Sequence, residues 1–190
     1  MANDSVKKLC EVMRKRSKEH AIAISRMNDL PGMMASILRL ELDSMIRAIF
    51  LLSERNLAQR ERLSDLIIKG QVWSVLTSKN KYKKVTDKEM VDLANEFQGW
   101  TRSVYKFGCS FVHFSNFHDY SENNPFESLS DEERYDILSH LRYYHGGPVD
   151  DKPSFAEIAR YFPSVFRKIS DNLECYLVSL ENNETTTDGF

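Results

Sequence analysis

Residues 86–114 read TDKEMVDLANEFQGWTRSVYKFGCSFVHF, and the fold class turns on them. Met90, Leu93, Phe97, Trp100, Val104, Phe107, Phe111 and Phe114 recur at intervals of three and four, the spacing that sets side chains one above another along a helix. Thr86 and Glu89 open the stretch as a capping box, in which hydroxyl and carboxylate each satisfy a backbone N–H that the first helical turn leaves unpaired. The pattern predicts one long helix over 86–114 with a buried aromatic seam. Gly99 and Gly108 fall inside it, each costing about 1 kcal/mol relative to alanine, so a kink or a close helix crossing is expected near either.

The same capping box recurs at Ser130–Glu133 and Ser154–Glu157, which marks two further helix starts. Upstream, a helix is expected over residues 5–27, stopped by the turn Asn28-Asp29-Leu30-Pro31-Gly32. A second, over 34–54, carries Leu38, Leu42, Met45, Ile49 and Leu52 in one stripe. A third, over 57–69, stops at Gly70. Residues 71–85 stay open, since Trp73, Val75 and Leu76 could continue helically before the basic run Lys79-Asn80-Lys81-Tyr82-Lys83-Lys84. The polar, Asn-rich stretch 115–125 reads as a loop. Gly146-Gly147-Pro148 must end the helix from Ser130, and the last helix kinks or restarts at Pro163, carrying Val165, Ile169, Leu173, Tyr176 and Leu180 on one face. No repeat and no alternating run bounded by turns argues for a sheet. The expected fold is all-α, a bundle of about six helices in one domain over 1–183, with 184–190 as a disordered tail.

Bulk properties narrow the function classes. With 42% hydrophobic and 28% charged residues the 190-residue chain can bury a core. Its 26 basic and 28 acidic residues leave a net charge of −2, so nucleic-acid contact would need a local patch. Cys10, Cys109 and Cys175 are far apart and form no CxxC, which reads as reduced thiols in a cytoplasmic protein. The N-terminus lacks the apolar core of a signal peptide, and the most apolar stretch, 37–52, is interrupted by Arg39, Glu41, Asp43 and Arg47, so no membrane association is expected. His113 and His118, like His140 and His145, are five apart rather than four, and no HExxH is present. Neither a metal nor a cofactor is expected, and no Gly-rich phosphate loop, GxSxG elbow or kinase motif set occurs.

Three polar constellations remain. Arg102, Lys106, Cys109 or Ser110, and His113 follow one another at helical spacing, so two cations could hold a phosphate beside an imidazole able to move a proton near neutral pH. A solvated helix face with a hydrogen-bonded histidine would look the same. Arg39, Asp43 and Arg47 are each four apart: a phosphate could replace one partner, or the three could form an intrahelical ladder or a contact with the long helix. Glu41 lies on another face with no evident partner. Lys81 and Lys83, flanking Tyr82 in the basic run, could contact phosphate while the ring stacks on a base, although lysines in loops also serve solubility.

The segment Tyr105-Lys106-Phe107-Gly108-Cys109-Ser110-Phe111-Val112-His113-Phe114-Ser115, with Leu40-Glu41-Leu42-Asp43-Ser44-Met45-Ile46-Arg47 upstream, resembles uncharacterised bacterial helical proteins related to the HEPN superfamily. There a core helix bearing Arg and Glu precedes a helix with a Tyr…Ser-x-x-His pattern, matched here by Tyr105, Ser110 and His113 over roughly residues 34–115. The resemblance implies an up-and-down helical core with extra C-terminal helices, a homodimer, and RNA or nucleotide as partner. It also implies metal-independent RNA cleavage in a bacterial defence or toxin system. His113 would transfer the proton, with Lys106, Arg102 and Ser110 around the phosphate. The superfamily's Arg-x(4–6)-His formula fits Arg134 and His140 instead, which makes them the alternative pair, while Lys106 to His113 has the spacing but a lysine without the planar fork of arginine. The other reading is a non-catalytic helical protein whose exposed stripes bind a protein partner. A site built from these residues would bring Arg39, Arg47, Lys106 and His113 into one cleft.

Overall fold

Pro31 starts the helix on which the others are assembled: at the first helical position its missing N–H removes nothing the helix needs. The computed structural model describes residues 4–77 and 81–185. In it α1 (Asp4–Arg26), α2 (Pro31–Ser53) and α3 (Leu57–Ile68) come first, then α4 (Asp87–Gln98), α5 (Thr101–Val112), α6 (Asp131–His145), α7 (Phe155–Ala159) and α8 (Phe162–Glu181). The expected stripe of α2 is buried throughout, and so are Ile37, Ile46, Ala48 and Leu51 on its other sides. A helix that is apolar all round belongs in the interior. α2 accordingly packs against α8, α5, α4, α1 and α7.

All three capping boxes form, with both halves present at Thr86/Glu89, Ser130/Glu133 and Ser154/Glu157. The stripe of α8 is buried as expected, each residue 9% exposed or less. The fold is all-α, with eight α-helices among the described residues rather than about six. One extra arises at Pro163, where the chain restarts as α8 after the single turn α7. The other corrects the long helix of 86–114.

That helix breaks at Gly99, whose φ of 74° ends α4 in the left-handed region. Asn95 holds the break: its side-chain oxygen accepts from the Arg102 N–H at 3.2 Å and the Thr101 hydroxyl at 3.4 Å, taking the role of a cap for α5. The break shifts the seam. Met90, Trp100, Phe107 and Phe111 stay buried, whereas Phe97 and Phe114 emerge at 41% and 96% exposure. Gly108 does not break its helix.

Residues 71–85 hold the second departure, an antiparallel hairpin of β1 (Ser74–Leu76) and β2 (Tyr82–Lys84), with Ser74 opposite Lys84 and Leu76 opposite Tyr82. Strands of three residues are too short for an alternating pattern to register. Buried Trp73, its ring tilted against that of Phe50 of α2 at 5.6 Å, anchors the hairpin to the core. The stretch 115–125 is irregular apart from one 3-10 turn at Asn116–His118, and a second follows at Pro125–Ser128. Of the expected tail, Glu184 is tied back, its N–H donating to the Ser179 carbonyl at 2.9 Å. Residues 186–190 lie outside the described residues, as does Lys79 of the basic run. Among the described residues no helix is long and apolar enough to cross a membrane.

Gly108 sets the distance between α2 and α5. A Cβ placed there would lie 2.6 Å from the Arg39 Cβ and 3.4 Å from the Ala35 carbonyl oxygen, both rigid parts of α2. Gly108→Ala should therefore lower stability by about 1–3 kcal/mol through overpacking, against the roughly 1 kcal/mol that alanine gains in an unhindered helix. Urea unfolding of the variant would read the sign. A more stable variant would show that α2 and α5 can separate freely.

Candidate anion-binding site beside α2

Tyr105 and Cys109 are one turn apart on α5 and face α2 on either side of the Gly108 contact. Arg39 passes through that contact with its stem buried, 8% exposed overall, and its head lies between them. Its Nε donates to the Cys109 sulfur at 3.3 Å, and its guanidinium carbon stands 3.8 Å over the centre of the Tyr105 ring. One turn along α2, Asp43 accepts two hydrogen bonds from Arg47, both at 3.2 Å, and lies 3.9 Å from Arg39. Arg16 of α1 reaches the same carboxylate at 3.4 Å and donates to the Ser44 hydroxyl at 3.0 Å. The ladder and the interhelical contact therefore coexist.

Asp87, the first residue of α4, closes the group from outside. Its side chain is 48% exposed and bridges Arg39 at 3.6 Å and Arg47 at 3.7 Å, while the Tyr105 hydroxyl donates to it at 3.3 Å. In an unbroken helix residues 87 and 105 would stand about 27 Å apart along the axis. The turn at Gly99 brings them together. Three arginines thus face two aspartates, and burial alone would raise the pKa of Asp43. Arg47, Arg16 and Arg39 outweigh that effect and hold its carboxyl below the ordinary 3.8.

The basic hairpin continues from this group. Arg47 lies over the Trp73 ring at 5.4 Å, and Trp73 leads directly into β1. Arg62 of α3 donates to the Ser74 carbonyl at 2.8 Å and covers one face of Tyr82 at 4.6 Å, leaving that residue exposed. Lys81, Lys83 and Lys84 are exposed beside it. Lys83 is paired with Glu89, whose carboxyl is pulled down to about 2 by that lysine and by the Thr86 cap. Of the phosphate-binding candidates read from sequence, Arg39 and Arg47 share the Asp43 and Asp87 carboxylates, and Trp73 beside Arg47 leads into the hairpin that carries Lys81 and Lys83.

The proton-transfer candidates are placed elsewhere, which corrects the expectation of a single cleft. Successive residues of a helix point about 100° apart, so with Tyr105 turned to α2, Lys106 turns to α6 and pairs with Glu133 at 3.3 Å. Arg102 pairs with Asp92 of α4 at 2.8 Å. Both cations line a shallow cleft with Glu132, Glu133 and Asp136, an acidic setting for a phosphate. The Ser110 hydroxyl donates to the Lys106 carbonyl at 3.4 Å. His113 is exposed at the end of α5, one turn beyond Cys109, and among the described residues no hydrogen bond or ion pair holds its ring. Arg134 is spent on the carbonyls of Glu127 and Leu129 and on Asp131. His140 lies among apolar side chains.

Sequence reasoning left Glu41 without a partner, and the fold supplies two. Glu41 is fully buried, accepts from Ser17 at 2.5 Å, and stands 2.7 Å from the Nδ1 of His20. The hint was there: Ser17 and His20 share a face of α1 at a spacing of three. Asp87 gives no signal in the sequence beyond its place between Thr86 and Glu89 of the capping box.

Two outcomes follow. His20→Ala leaves the Glu41 carboxyl group buried with a hydroxyl alone and should cost about 1–3 kcal/mol in urea unfolding. Because the folded-state pKa of Asp43 is depressed, its contribution is present above pH 3.8 and is lost as pH falls through the lower folded value. Asp43→Asn should therefore flatten the fall of melting temperature with acidification in that range, and an unchanged slope would place the acid sensitivity in other carboxylates. Compared with family models, curated proteins and solved structures, the chain matches none.

Proposed function

We propose that the protein binds single-stranded RNA by its phosphates, with Arg39 and Arg47 as one contact point and the lysines of the hairpin as its continuation. The observation that carries this reading is Asp87. Its half-exposed carboxylate sits between two guanidiniums at 3.6 and 3.7 Å, well beyond the roughly 2.7–2.9 Å of a tight charge-assisted hydrogen bond. A phosphate arriving from solvent could take that place with a better match to two planar forks. Tyr82, 64% exposed and backed by Arg62, offers a surface on which a base can stack.

The reading agrees with the resemblance to HEPN-related proteins in its ligand and differs in its chemistry. Arg102 and Lys106 are paired with carboxylates, and the cleft that both line does not contain His113. The proposed activity is binding, without the cleavage that the resemblance implies.

Fluorescence anisotropy with a labelled single-stranded RNA, in EDTA and over a range of salt, tests the proposal. Lys81→Ala should weaken binding and reduce the salt slope by about 0.7. Asp87→Ala removes the competing carboxylate and should tighten binding on the order of fivefold, equivalent to about 1 kcal/mol. The RNA should remain intact. Absence of binding at low salt, or an Asp87→Ala variant with unchanged affinity, would overturn the proposal.

A further inference from the structure

On the flank of α5 that carries Trp100, Val104 and Phe107, next to the Gly108 contact, a pocket opens between α5, α6 and α8, with Ala35 and Leu38 of α2 at its floor. Leu38, Phe107, Ile158 and Phe162 form its walls, so its interior is apolar. The cavity measures about 70 Å³ as space open to the centre of a water molecule. That is several times the roughly 10–15 Å³ needed to admit one water, so a small organic body can enter.

Its mouth has a different character. Lys168 of α8 stands there with its ammonium 3.8 Å from the centre of the Tyr144 ring and 5.6 Å from that of Trp100. Among the described residues no carboxylate lies within ion-pair distance of it. Burial lowers the pKa of Lys168, and it lowers that of His145, with Lys168 adding to the effect. His140, on the adjoining helix, has its Nδ1 closed off from solvent without a hydrogen bond of acceptable geometry. Burial lowers its pKa too, although the carboxylate and carbonyl of Asp136 act in the opposite sense. The outer cleft beyond the mouth contains Arg167, Asn172 and a single acid, Asp171.

Partly buried charges are ordinarily paired. Here one ammonium and two imidazoles border an apolar cavity, and the aromatic faces that hold the ammonium compensate it only in part. We propose that this pocket binds a small carboxylic acid in its ionised form, its ring or short alkyl body inserted among Leu38, Phe107 and Phe162 and its carboxylate held by Lys168 beside His140 and His145. A single negative charge matches the single ammonium, whereas a phosphate dianion would carry an uncompensated charge into an apolar mouth. The pocket and the arginine site lie on different faces of α5, so either assignment can fail without the other.

Phenylacetate and hexanoate, each beside its neutral alcohol (2-phenylethanol and hexan-1-ol), are suitable probes for titration by calorimetry and by NMR of the histidine ring protons. Wild-type protein should bind at least one of the acids at millimolar concentration or tighter, with shifts at His140 and His145. Lys168→Met should weaken acid binding at least tenfold and leave the binding of the alcohol within about twofold, a difference of under 0.5 kcal/mol. Acid binding that survives Lys168→Met undiminished, acid binding without shifts at these histidines, or no acid binding at all would each overturn the assignment.

Discussion

A residue without a side chain sets the spacing of α2 and α5. Because Gly108 has no Cβ, α5 lies against the Cα and Cβ of Arg39 on α2, and the backbone separation of these two helices decides where everything attached to them stands. Phe107 and Phe111 reach the aromatic cluster with Phe117, Phe155 and Phe162 from that platform. Tyr105 and Cys109 meet the Arg39 head from the same platform. Core packing and the arrangement of charge are therefore two results of one contact, and a change in helix spacing would disturb both.

α2 reconciles two demands that usually conflict. It is buried over most of its surface, yet it carries Arg39, Glu41, Asp43 and Arg47, whose desolvation has to be offset by partners. The partners come from different neighbours: Ser17, His20 and Arg16 from α1, Asp87 from α4, Tyr105 and Cys109 from α5. Together these polar groups fix the register of α1, α4 and α5 against α2, which apolar side chains alone specify loosely. Cys10 shows the opposite solution to burial, a thiol pushed up to about 12 and kept neutral among apolar side chains.

How far the sequence could be read depended on the range of the interaction concerned. Capping boxes involve residues three apart, and all three were legible, as were the buried stripes of α2 and α8. Gly99 and Gly108 looked alike in the seam, because what separates them is remote or depends on conformation: Asn95 folds back to cap the new helix at one, and Arg39 packs against the other. The Arg39–Asp43–Arg47 ladder was visible from spacing, but its closure by Asp87 required the turn at Gly99 first. The ridge of Arg102, Lys106, Ser110 and His113 failed for a related reason, since helical spacing says which residues share a side of a helix and says nothing about the acids waiting on its neighbours. Partners such as His20 for Glu41 and Glu133 for Lys106 belong to tertiary structure, and no single segment contains them.

The chain has two tryptophans, and the fold puts each of them beneath a cation. Trp73 lies beneath Arg47 at the root of the hairpin, and Trp100 lies beneath Lys168 at the mouth of the apolar pocket. Both indoles are nearly fully buried, so their emission is set by the local field more than by bulk solvent. The molecule therefore carries two intrinsic optical reporters on separate faces, distinguishable by replacing either with phenylalanine.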